Sequence, residues 1–469
     1  MNQVRLNEEI ANEEGDKPPS QIKSLIVSNI AETYYKTYKK TNPQEAETRI
    51  NYDFLEAERA AFYTCENKAV ITSVPVNAEF LHDSKKLLGL DCLLNLYPEN
   101  PTHRISADIL KDKILFSEVV AIIKTNPGLE LIPYYATEEF FDLVSTLRQK
   151  GLKFTTPETV SAKNRFIRDH YNCKVGFRKL WDKTMDEHSF VKIPKGFVVD
   201  DLAEGIDAAW WFYQHKTDFV VKYNRGTSGF GVVFYHCRDL PAEEKEFRKY
   251  LRNHHAERMW FEESFVVEEW IDIDQEFYGG SPSIEFKING EVRHQYTCVQ
   301  RLGEKSYFEG IMMAKEVEEK SDIDLERAVE NCLEYGESLS ELGYRGLFDI
   351  DLVIDKKHNV FAVEANLRRT GGTHIYETAQ HFFGKNFEQK TVVVSKDNLP
   401  VSPAIQTYHD FKAKAQSLYF SKEKGEGIIP TIVSFLKIGK VGYIAFGKTL
   451  KRVEEIEKEL SAAVSEKSP

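Results

Sequence analysis

The sequence predicts a mixed fold: α/β in its first third, α+β beyond it, and a small C-terminal α/β closing unit. Three observations carry this. From Ile22 to Pro157 short apolar runs alternate with helical patterns, as in an open sheet with parallel pairing. From residue 158 to 390 the strand patterns lengthen and hairpins appear. From 391 to 469, GIIPTIVSFL and KVGYIAFG precede a charged helix from Leu450 to about Val464. A chain of 469 residues exceeds one typical core, so these stretches are expected as three packed units, 22–157, 158–390 and 391–469. Residues 1–21, polar and acidic around Pro18-Pro19, are expected as a loose tail.

The elements follow in order. AVITSV (Ala69 to Val74) is a buried-strand pattern, and Ala78 to Leu88 and Ile105 to Lys124 have helical spacing. ELIPYY (Glu130 to Tyr135) is a second strand, followed by a helix from Glu138 to Lys150. In FVVKYNRGTSGFGVVFY (Phe219 to Tyr235), two β-rich runs flank a loop carrying Gly226, Gly229 and Gly231. In GLFDIDLVIDKKHNVFAVEANLRRTGG (Gly346 to Gly372), strands over Leu347–Ile354 and Val360–Val363 flank a polar turn at Lys356-Lys357-His358-Asn359.

Composition excludes several classes of function. Hydrophobic residues at 42% and aromatics at 12% suffice for a conventional interior, while the net charge of −12 comes without a basic block to track a phosphate backbone, which argues against nucleic acid. No stretch is long and uncharged enough to span a bilayer, and the N-terminus lacks an apolar signal core. Six scattered cysteines without C-x-x-C pairs suit reduced thiols. A soluble cytoplasmic protein is the expectation.

The hairpin carries the sharpest chemical signal. Glu364 and Asn366 share a strand face, and Asp351 can oppose them across the ladder. Two carboxylates and a carboxamide are the hard oxygen donors that Mg²⁺ prefers, with room left for water and phosphate oxygens. Arg368 adds a cation on the same face. In the glycine loop, backbone N–H groups of Gly229 and Gly231 can close on a phosphate, with Thr227 and Ser228 as hydroxyl donors and Lys222 as a point cation. The loop lies between two strands and lacks G-x-x-x-x-G-K-[ST], so neither a P-loop nor a dinucleotide fingerprint fits. FVVEEWIDIDQEFYG (Phe265 to Gly279) supplies a strand end and the acids Glu268, Glu269 and Glu276, while Lys174 stands at the start of an amphipathic helix.

In this order the pieces resemble the ATP-grasp superfamily: Lys174, Lys222 before NRGTSGFG, EEWI (Glu268 to Ile271), then Asp351 thirteen positions before Glu364-Ala365-Asn366. AVITSVPVNAEFL, QRLGEKSYFEG, EANLRRTGGTH and GEGIIPTIVSFLKIGKVGYIAFG resemble more closely the pheganomycin-type peptide ligases with a pre-ATP-grasp N-terminal domain. Departures occur at Asp349, where glycine is expected, and at Arg369 to Thr373, where relatives show G-T-T-H-P; Ile375 rather than proline follows His374.

The resemblance implies an ATP-dependent carboxylate–amine ligase working through an acyl phosphate, with two Mg²⁺ ions (or Mn²⁺) held by Asp351, Glu364 and Asn366. It assigns Lys174 and Lys222 to the α- and β-phosphates and the backbone of Glu269 and Ile271 to adenine. Glu268 or Glu276 falls on the ribose or adenine edge, and Arg368 on the acyl phosphate and oxyanion. Arg293, Arg301, Glu309, Gly371, Gly372, Thr373 and His374 are the substrate candidates, for a small carboxylate and an amine, both amino acids or small peptides. Dimers are common in the superfamily. A phosphotransferase or nucleotidyl transferase, or a non-catalytic nucleotide binder, are the alternatives.

Overall fold

The computed structural model describes residues 21–40, 42–186, 188–226, 231–255, 259–274, 280–303, 307–318 and 324–465. Thr227, Ser228, Gly229 and Glu276 lie outside the described residues, as does nearly all of the N-terminal tail. No described helix is long and apolar enough to cross a membrane, and all six cysteines are free thiols.

Four parallel strands open the chain: β1 (Ser24–Val27), β2 (Lys68–Ile71), β3 (Leu93–Leu96) and β4 (Glu130–Pro133), in the order β3-β2-β1-β4. The runs of the two central strands, β1 and β2, are buried throughout, as parallel strands covered by crossover helices require. Strand order reverses beside β1, so a crevice opens beyond the carboxyl ends of β1 and β4. Asn29 closes its floor: its side chain accepts from the Tyr134 N–H at 2.9 Å and donates to the Tyr135 carbonyl at 2.8 Å. The helix from Ala78 to Leu88 forms as expected. The single helix expected over Ile105–Lys124 is instead two, Ile105–Lys111 and Lys113–Thr125. Asp112 breaks it by accepting the N–H groups of Ile114 (3.0 Å) and Leu115 (3.1 Å), capping a new helix.

Next come β5 (Val191–Lys192) and an antiparallel sheet of β6 (Gly196–Val199), β7 (Phe219–Lys222), β8 (Val232–Tyr235) and β9 (Phe265–Glu269), ordered β6-β9-β7-β8. This sheet has its own core with the helices Leu202–Gln214 and Glu244–His254.

The largest sheet contains β10 (Pro282–Asn289), β11 (Glu291–Leu302), β12 (Phe308–Met313), β13 (Gly346–Ile354), β14 (Val360–Asn366), β15 (Val392–Pro400), β16 (Gly427–Ile432) and β17 (Lys440–Gly447). Its order is β16-β17-β15-β12-β11-β10-β13-β14-β5, antiparallel except where β5 joins β14. The strands read as a closing unit thus extend the same sheet, with the helix Leu450–Ser465 packed on them. One apolar core runs from the N-terminal sheet through the helix Leu325–Leu342 to β10, β13 and β14.

Register shifts interrupt the large sheet on β14 at Val363–Glu364, on β12 around Glu309, and on β15 at Asp397–Asn398. Bulges re-aim side chains, and all three lie on the main cavity's wall. Gly310 lies beside the second, at φ +153°, where a Cβ would come within 2.2 Å of the Ser395 carbonyl oxygen; β12 and β15 approach closely because it is glycine.

Candidate active site

A cavity of about 810 Å³ lies where the three sheets meet. Lys222, Glu268, Glu269, Trp270 and Ile271 line one end, Asp349, Asp351, Glu364, Asn366 and Arg368 the middle, and side chains of the N-terminal helices the other end.

The hairpin forms as the sequence predicts. Asp355 accepts the N–H groups of Lys357 and Asn359, both at 2.8 Å, and His358 takes the left-handed turn position at φ +61°. Asp351 pairs with Glu364 and Asp349 with Asn366 in the ladder. Asn366 Nδ2 donates to Asp349 Oδ1 (3.0 Å) and Asp351 Oδ2 (3.2 Å), and Gln300 Nε2 to Asp351 Oδ1 (2.8 Å). Burial pushes both aspartates above the usual carboxylate range, Asp349 to about 7; for Asp351, Asp349 and Glu364 add repulsion. Such crowding of acids is what a cation would relieve. Among the described residues no three His, Cys, Asp or Glu side chains close on one point, so a divalent ion here needs phosphate and water oxygens to complete its shell. The donor set fits Mg²⁺ in that form.

Arg368 is fixed between hairpin and N-terminal unit. Its Nη2 donates to Asn366 Oδ1 at 2.9 Å, and its guanidinium carbon lies 5.8 and 5.5 Å from the ring centres of Tyr34 and Tyr134. Burial opposes its charge, but Tyr134, Tyr34, Asp349 and Glu364 hold its pKa above the ordinary value.

At the other end, Lys174 opens the helix Lys174–Thr184, and its Nζ lies 3.2 Å from Glu364 Oε1. Lys222 ion-pairs with Glu268, whose second oxygen accepts from Arg178 at 2.7 Å. Burial alone would raise the Glu268 pKa; Lys222 and Arg178 together bring it below the usual value. Both Glu268 oxygens are therefore committed to cations, and Glu268 orients Lys222 instead of presenting itself to a ribose. Glu269 is half-committed too: its N–H bonds the Lys195 carbonyl at 2.8 Å and its carboxylate accepts the Lys195 N–H at 2.7 Å. Ile271 lines the cavity with Trp270, whose ring lies 5.4 Å from that of Phe234. Gly231 takes φ +74° at the exit of the glycine loop. A Cβ on Gly196 would meet the Glu268 Cβ at 2.6 Å. Gly196→Ala is expected to lower stability by about 1–3 kcal/mol and, by shifting Glu268 and with it Lys222, to raise the KM for nucleotide; denaturant unfolding and steady-state kinetics check both.

The substrate candidates divide. Gly371, Gly372 and Glu309 line the cavity, the last paired with Lys396 at 3.1 Å. A Cβ on Gly372 would come within 2.3 Å of the Tyr296 hydroxyl, and one on Gly371 within 2.6 Å of the Phe308 ring, so the turn seats on the sheet only with glycines. Thr373 and His374 are buried beneath that turn, outside the cavity lining. Thr373 donates to Glu285 at 2.9 Å, and burial drives the His374 pKa well down. Arg293 is displaced from the site altogether, paired with Glu291 on the exposed β10–β11 hairpin. Arg301 is turned away by strand alternation: Cys298, Gln300 and Leu302 face the cavity, while Arg301 binds Glu457 at 2.7 Å behind the sheet. Arg369 likewise turns from the cavity and clamps Glu158 at 2.8 and 2.9 Å and Glu377 at 2.9 Å. Gln300 and Asp349 were not among the expected site residues; period-2 alternation places Asp349 on the face of Asp351, whereas Gln300 lies on the face opposite Arg301 and no sequence signal singled it out.

No protein-family model matches the chain. Among curated proteins, L-propargylglycine–L-glutamate ligase of Streptantibioticus cattleyicolor is 30% identical over 162 residues, a segment covering 34% of this chain and 30% of that protein. Among solved structures, biotin carboxylase from Campylobacter jejuni, in a complex with β,γ-ATP, superposes with a TM-score of 0.52 over 92% of this chain and 89% of its own, at 12% identity. The chain has the ATP-grasp fold. N5-carboxyaminoimidazole synthetase from Staphylococcus aureus matches at a TM-score of 0.50 and 11% identity, over 96% of this chain and 99% of that one. In ATP-grasp terms β6–β9 form the smaller sheet over the cavity and β10–β14 carry its acidic hairpin.

Proposed function

We propose that this protein is an ATP-dependent carboxylate–amine ligase that forms an amide through an acyl phosphate and releases ADP and phosphate, with amino acids or small peptides as substrates. The observation that carries this reading is Arg368, held by Asn366 beside the acidic hairpin and walled by Tyr34 and Tyr134. A simple nucleotide binder has no use for a half-buried, preorganised cation beside the metal donors.

Lys222, oriented by Glu268, and Lys174 neutralise phosphate oxygens, and Trp270 and Ile271 flank the base. Asp351, Glu364 and Asn366 would hold Mg²⁺, which would neutralise phosphate charge. Transfer of the γ-phosphoryl group to a substrate carboxylate oxygen breaks the bond to ADP and gives the acyl phosphate. The amine nitrogen then attacks the carbonyl carbon, loses a proton, and phosphate departs. Arg368 meets the negative charge that develops on the oxyanion.

ADP and phosphate should form only when a carboxylate and an amine are both present. Release with one acceptor alone, or AMP as product, would instead indicate a phosphotransferase or nucleotidyl transferase. Arg368→Lys is expected to lower kcat by roughly 10²–10³-fold, because an ammonium cannot reproduce the fork held by Asn366. Binding of ATP, followed by calorimetry, should change little; a loss confined to ATP affinity would move Arg368 to the nucleotide end.

A further inference from the structure

The cavity continues past Arg368 into a wall that the phosphoryl chemistry leaves unused. Arg59 shares the Tyr134 ring with Arg368, its guanidinium carbon 5.8 Å from the ring centre, so the wall begins one aromatic ring from the reacting groups. Asp53, Glu56, Arg59, Asp397 and Asn398 line it. Arg59 bonds Glu56 at 2.5 Å and lies 3.8 Å from Asp397.

The wall is buried yet incompletely satisfied. Asp53 is 5% exposed, and Arg59 and Asp397 3% each. Among the described residues, Asp53 Oδ2, Asp397 Oδ1, Asn398 Oδ1 and Arg59 Nε have no hydrogen-bond partner. Buried polar atoms are seldom left so, and four on one cavity wall ask for a ligand. Their chemistry defines it: three acceptors match the three N–H bonds of an ammonium, and one guanidinium donor matches an oxygen beside it. Other charges on the wall agree. Arg49 is held by Glu45 at 3.0 Å, and Lys440 adds a further cation for an anionic oxygen.

The backbone is shaped for this. Asp397 and Asn398 are neighbours on β15 and would ordinarily point to opposite faces. The register shift between Lys396 and Leu399 places them opposite a single residue of β17, and both reach the cavity. Burial also lifts the Asp397 carboxyl to about 7, which a bound cation would reverse.

We propose that this wall is a subsite for the free ammonium–carboxylate end of an amino-acid substrate, the ammonium seated among Asp53, Asp397 and Asn398 and the carboxylate turned to Arg59. The inference rests on the ligase reading and adds to it a seat for the substrate's unreacted end.

The test uses the full chain with Mg²⁺ and ATP, screening L-amino acids in pairs for stimulated ADP release. For the amino acid that stimulates, Asp397→Asn and Asp53→Asn should each raise its KM by at least about tenfold, the loss expected for a charge-assisted hydrogen bond, while the KM for ATP stays within about twofold. On the unaltered protein, the deaminated analogue of that amino acid should inhibit with a Ki at least about tenfold above the KM, so the result does not depend on the variants folding. Unchanged KM values and an analogue that binds as well would mean that the wall holds ordered water only; the subsite falls and the ligase stands. If no amino acid accelerates ADP release, the ligase reading for amino acids fails and the subsite with it.

Discussion

Glu364→Ala is expected to lower Mg²⁺-dependent ADP formation by about three orders of magnitude or more, with the fold kept and the melting temperature changed little. Loss of a metal-holding carboxylate removes several kcal/mol of transition-state stabilisation, at about 1.4 kcal/mol per tenfold in rate. Glu364 lines the cavity, and its loss deprives the buried Lys174 of the carboxylate at 3.2 Å, which costs some stability. Its charge also helps push up the carboxyls of Asp349 and Asp351, so removing it relieves repulsion. Activity and stability therefore move independently, as at sites where like charges are held together for function. A thermal melt beside a coupled ADP assay separates the two, and undiminished turnover would refute the metal assignment.

Arg369→Met should do the reverse. Arg369 is 1% exposed, makes a two-bond clamp on Glu158 and a third bond to Glu377, and stacks 4.5 Å over the Tyr63 ring. Without it Glu158 keeps, among the described residues, only Lys287, at 3.2 Å, while remaining buried. An uncompensated buried charge of this kind costs about 3–5 kcal/mol, read as a large fall in the denaturant midpoint. Adding Glu158→Met should recover much of the loss, since a buried ion pair replaced as a unit by apolar side chains is often neutral. Were Arg369→Met to melt like the parent protein and alter substrate KM instead, Arg369 would belong to the substrate cavity after all.

Asp351, Glu364, Asn366 and Arg368 were legible because they lie close together in sequence and strand alternation dictates their faces. Lys174, at a helix start, and Lys222, on a strand before the glycine loop, stood out only through the order of motifs in the family resemblance; locally each reads as an ordinary lysine. Arg301 was misread because the choice between two strand faces depends on what packs behind the sheet, here Glu457 on the last helix. The break at Asp112 was missed because a capping side chain competes locally with a continuous apolar pattern.

The acidic hairpin, the shared face of its donors and the place of Arg368 beside them were thus determined by the sequence alone, since each follows from local periodicity and donor chemistry. Only the tertiary structure decided what lies opposite. It committed Glu268 to Lys222 and Arg178, removed Arg293, Arg301, Thr373 and His374 from the cavity lining, and brought Asp53 and Arg59 to Asp397 and Asn398, more than three hundred residues away. The physical reason is that burial, charge pairing and bulge geometry are set by neighbours distant in the chain. The same is true of the wall where the amino-acid subsite is proposed.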